Sequence, residues 1–98
     1  MSELEDAIKE IESTIGILRR SSNERWAVPL DQLLAEMRNG TVFEQKQALF
    51  KIGEFCHPKA LGDARVTAVD FQGWGTQLDT LHDTCARAFN VLENGSKA

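Results

Sequence analysis

Apolar residues recur at steps of three and four in three separate stretches of this chain, the spacing of amphipathic helices. The longest stretch runs from Asp70 to about Glu93, with Phe71, Trp74, Leu78, Leu81, Cys85, Ala88 and Leu92 on one seam. A helix of that length reaches about 35 Å, the span of a small domain. The other elements are therefore expected to pack around it. Asp70 is its expected N-cap. Gly73 and Gly75 fall in its first turns and each costs about 1 kcal/mol relative to alanine. Either another backbone packs close there or the helix starts irregularly.

The first stretch places Leu4, Ile8, Ile11, Ile15 and Leu18 on one face. Ser2 and Glu5 have capping-box spacing. Glu3, Glu5 and Asp6 at the start and Arg19 and Arg20 at the end suit the helix dipole. Gly16 weakens the helix locally and leaves room for a close neighbour. Ser21 with Glu24 is a second capping-box spacing, followed by the stripe Trp26, Leu30, Leu33 and Met37. Pro29 removes a donor and clashes with the preceding turn, which predicts a kink or a short first turn near Val28. Asn39-Gly40 is a stop signal. Thr41 and Glu44 open a third helix carrying Val42, Phe43, Leu49, Phe50 and Ile52, and it ends between Gly53 and Cys56 because Pro58 disfavours a helical His57. From His57 to Val69 the pattern is lost. HPKALGD has turn chemistry, and the whole stretch reads as an ordered loop.

These elements predict an all-α fold: a compact four-helix domain with a long C-terminal helix and an ordered loop before it. Ninety-eight residues fit a single domain, residues 1–98, with enough chain for one core. A coiled coil would need a longer, more uniform Leu/Ile seam.

Composition narrows the function classes. Net charge is −4, and eleven basic residues are scattered among fifteen acidic ones. Direct nucleic-acid binding calls for a concentrated basic face, so it is not expected. An acidic surface favours basic partners and speeds their encounter. No apolar run approaches a membrane span. The N-terminal MSELEDAIKE is acidic where an export signal would be basic and then apolar, which predicts a cytoplasmic protein. Two cysteines are too few for a disulfide scaffold, so Cys56 and Cys85 are expected free and at least partly buried.

Candidate chemistry is sparse. Cys56, His57, His82 and Cys85 are zinc-ligand types, and His82 and Cys85 share a helical face. Cys56 and His57 are adjacent, however, and neighbouring residues rarely reach one metal, so no metal and no cofactor is expected. His57, Lys59, Asp63 and His82 have acid–base chemistry, but nothing in their spacing makes them converge. There is no phosphate loop, nucleophile elbow or HExxH. The chain does not read as an enzyme. Trp26, Trp74 and Phe71 are expected in the core. Phe55, at a helix end, is expected exposed as an anchor for a partner. Asp70, Asp79 and Asp83 form an acidic flank on the last helix, with Asp83 relieved by Arg87. With Phe55 and the loop residues His57, Lys59 and Asp63 they make up the candidate partner-binding set.

The segment IGEFCHPKALGD, residues 52–63, a tryptophan-bearing terminal helix and Trp26 near the start of the second helix together resemble small helical bacterial proteins of unassigned domain type. In size, acidity and helical content the chain also resembles immunity proteins of contact-dependent growth inhibition systems. That resemblance implies a stoichiometric inhibitor that binds a cognate toxin domain in the cytoplasm, frequently a basic nuclease, and occludes its active site. It carries no motif residue over to this chain. Under that reading the chain itself is a monomer or weak dimer; the competing expectation, a helical adaptor or homo-oligomer, predicts a dimer in solution without any partner.

Overall fold

The computed structural model describes residues 3–56, 61, 64 and 66–95. Among these the chain forms four helices: α1 (Glu3–Arg20), α2 (Glu24–Asn39), α3 (Val42–Phe55) and α4 (Phe71–Gly95). The fold is all-α, as the periodicity predicts, in a body of 44 × 25 × 22 Å.

Cross-helix bonds fix the topology. Arg19 meets Asp31 at 3.2 Å and Arg38 meets Glu12 at 2.8 Å, so α1 and α2 run antiparallel. Gln45 Nε2 donates to the Met37 carbonyl, tying α3 back along α2. Lys46 meets Glu93 at 2.8 Å across α3 and α4, and Gln77 donates to Thr14 and Glu10 across α4 and α1. The result is an up-down-up-down bundle in which α4 closes the ring against α1.

The α1 and α2 faces bury Ile11, Ile15, Leu18, Leu30, Leu33 and Met37 as their spacing predicts. The α4 seam holds from Trp74 to Ala88. At its start it does not: Phe71, expected in the core, is 88% exposed. It follows the cap directly, ahead of the first turn that meets the core. Asp70 caps α4 by accepting from the Gly73 N–H at 2.6 Å. Val69 and Trp74 then sit at the staple positions, and both join the core.

Two local expectations are corrected. Ser21 does not cap α2; its Oγ accepts from the Thr67 and Ala68 N–H groups at 3.0 Å each and pins the α3–α4 loop to the α1–α2 turn. The N-cap is Asn23, whose side chain makes no cap bond. Pro29 neither starts nor stops α2, which runs through it from Glu24. The carbonyl that loses its donor belongs to Arg25, an exposed residue, so the loss falls where water is within reach. Gly40 stops α2 without a left-handed conformation (φ −90°); glycine is needed because a Cβ there would run into the Glu36 carbonyl oxygen and approach the Glu44 Cβ to 2.9 Å. The capping box expected at Thr41 and Glu44 is formed in both directions. The Ser2 cap lies outside the described residues.

The α4 glycines fit neither expected explanation, because the helix is regular and no other backbone approaches. A Cβ at Gly73 would press on the capping Asp70 carboxylate at 2.9 Å, whereas one at Gly75 would meet nothing within 4 Å. Gly75→Ala is therefore expected to stabilise the fold by about 0.5–1 kcal/mol through backbone entropy. Gly73→Ala should shift stability the other way, and denaturant melts of the two variants check the opposite signs.

Candidate functional site

The third helix is where burial and hydrophobicity part company. Its core side is narrow, made of Ala48, Leu49 and Ile52. Phe43 and Phe50 stand seven residues apart, almost two turns, and so share a line. That line lies opposite Ile52, leaving them 64% and 62% exposed, with Val42 at 48%. Of Val42, Phe43, Leu49, Phe50 and Ile52 on α3, only Leu49 and Ile52 are buried. The missed signal is the spacing itself: the step from Phe43 to Phe50 and the step from Leu49 to Ile52 describe two different faces.

Beside this line runs a groove between α3 and α4. At Gly53 the helices stand at ordinary contact distance, with His82 Cδ2 3.9 Å from where a Cβ would lie. The Lys46–Glu93 ion pair crosses the groove. Its main hollow, about 470 Å³, is lined by Phe43, Lys46, Phe50, Lys51, Phe89 and Glu93 among others. It continues past Phe50 and Phe89 into a second hollow of about 310 Å³ that reaches His82 and Cys85. Two lysines and two glutamates, Glu54 being the second, balance charge in the main hollow. The arrangement offers apolar contact rimmed by charges of both signs, the anatomy of a protein-docking patch.

The groove floor carries no activated nucleophile. Burial pushes the Cys85 thiol up to about 12, with the neighbouring Cys56 and Glu10 adding to the effect. Burial, then Asp79, pushes Cys56 up to about 11. Both thiols are protonated at neutral pH and behave as small apolar groups. Among the described residues no three His, Cys, Asp or Glu side chains gather in a group able to hold a metal ion.

The sequence candidates are dispersed. Asp70 is engaged in capping α4. Asp79 and Asp83 lie exposed on the outer side of α4. Asp83 meets Arg87 at 3.2 Å as its spacing predicts, and Arg87 also reaches Glu3 at 3.7 Å. Phe55 is corrected: it is half-buried and packs edge-on against Trp26, ring centroids 6.0 Å apart at 76°. The helix end brings it over the bundle mouth, where Trp26 covers it. His57, Lys59 and Asp63 lie outside the described residues.

No helix among the described residues is long and apolar enough to cross a membrane. Compared with protein-family models, curated proteins and solved structures, the chain finds no match.

Proposed function

We propose that the protein works by binding another protein, as a stoichiometric inhibitor of the immunity type that docks on a basic toxin domain and covers its active site. The observation that carries the reading is the outward pair Phe43 and Phe50 beside the α3–α4 groove, since a bundle with enough apolar residues for its core has no folding reason to display two phenylalanines side by side. Phenylalanines in such a patch anchor a complex and slow its release. Asp79 and Asp83, exposed on the adjacent helix, with a net charge of −4, would steer a basic partner toward it. Occlusion needs neither a catalytic group nor a cofactor. The choice of a nuclease as partner rests on the resemblance to immunity proteins and on charge.

The test is affinity capture with the tagged full chain in its own host, followed by assay of whatever is retained in stoichiometric amount. A basic domain whose nuclease activity is lost on adding the chain supports the reading. A retained partner that keeps its activity, or no partner, overturns it.

A further inference from the structure

The outward face of α3 repeats itself at one interval. Phe43 and Phe50 stand seven residues apart, and on the flank beside them Glu44 and Lys51, both exposed, stand seven residues apart as well. An element with that repeat is complementary to itself. When a second copy is laid antiparallel about a two-fold axis crossing near Gln47, Phe43 of each copy falls alongside Phe50 of the other, and Glu44 of each falls beside Lys51 of the other. The flank facing α4 does not oppose this. Lys46, which falls near the axis, already has its charge matched by Glu93 at 2.8 Å and is mostly covered.

We infer that the Phe43–Phe50 face of α3 docks against the same face of a second copy of this chain, antiparallel, whenever no other partner covers it. The inference rests on reading this face as a docking surface, and it makes the dimer a resting form that gives way to the complex. Phe89 and the groove beside it extend the contact along α4. With α3 only fourteen residues long, about 21 Å, the contact falls short of a standard interface. Association is therefore expected to be weak, with a dissociation constant on the order of 10 µM.

Sedimentation equilibrium of the full chain at about 5 to 500 µM, bracketing that constant, is the experiment. The expected result is a reversible shift from 10.9 kDa to twice that mass. Phe43→Ser with Phe50→Ser should weaken the dimer at least ~10-fold while the melt confirms folding, since both rings are mostly exposed. The charge test is sharper. Glu44→Gln keeps the capping box, because glutamine serves at that position. It should weaken the wild-type dimer about two- to fivefold by removing attraction to Lys51, and should strengthen the dimer of Lys51→Glu by removing repulsion. A monomer at every concentration overturns the inference. So does a dimer indifferent to the serine variants, or a Glu44→Gln effect of the same sign in both backgrounds. A monomeric chain that still captures and inhibits a nuclease overturns self-association alone, whereas a dimer that captures nothing overturns the inhibitor reading alone.

Discussion

Trp74→Ala should lower the stability of the fold by about 3–5 kcal/mol, the range for deleting a buried large aromatic side chain. The side chain is 4% exposed, so nearly all of its apolar surface is lost from the core. Its Nε1 also donates to the Leu61 carbonyl at 2.8 Å, inside the bundle mouth. That carbonyl keeps a second donor, the Ala64 N–H at 3.0 Å, so the penalty is for a lost bond and not for an orphaned acceptor. Trp74→Phe separates the two effects: most of the volume stays, the bond goes, and a loss of about 1 kcal/mol is expected. A domain of this size has roughly 5–15 kcal/mol in total, which makes the alanine variant marginal. Urea melts check both values. The loss should fall first on the loop, because Leu61, fully buried, enters the core through this bond, while the Ser21 clamp holds only Thr67 and Ala68. A Trp74→Ala variant less than 1 kcal/mol below wild type would mean that the loop is held by something other than the indole.

The second large effect concerns binding. Phe43→Asp with Phe50→Asp is expected to weaken the complex with the captured partner by at least ~100-fold. Each ring is treated as a buried interface anchor worth about 2 kcal/mol, and each 1.4 kcal/mol is tenfold. Folding stability should scarcely change, because neither ring belongs to the core. This separation of binding from stability is what distinguishes an interface residue from a core residue. Neutralising Asp79 and Asp83 to asparagine acts differently. Those carboxylates are exposed, so their removal should slow association and flatten its salt dependence, with a loss of about tenfold or less.

The bundle was legible because long stretches of regular spacing leave few alternatives. Leu30, Leu33 and Met37 on α2, and Trp74 to Ala88 on α4, are buried where period 3.6 places them. The Thr41–Glu44 box was readable because both halves of it are local. What misled was size taken for burial. Phe71 is large and exposed, while Ala7, Ala27 and Ala48 are small and fully buried. Ser21 had the right spacing for a cap, yet it serves backbone groups more than forty residues away, a partner no local pattern can reveal. The candidate site suffered most. Charged residues and a terminal Phe55 drew attention because their chemistry is visible in a sequence. The α3–α4 groove is lined from both helices, by Phe43 and Phe50 on one side and Phe89 and Glu93 on the other, and only the packed structure supplies that pairing.

The central claim is that the molecule acts through the outward face of α3. Calorimetric titration of the captured partner into wild type and into Phe43→Asp/Phe50→Asp, with melts recorded on the same samples, addresses it most directly. The account predicts one partner bound per wild-type chain, at least ~100-fold weaker binding by the variant, and superimposable melts. Equal affinities for the two proteins, with the variant folded, would contradict it and move the docking surface off α3.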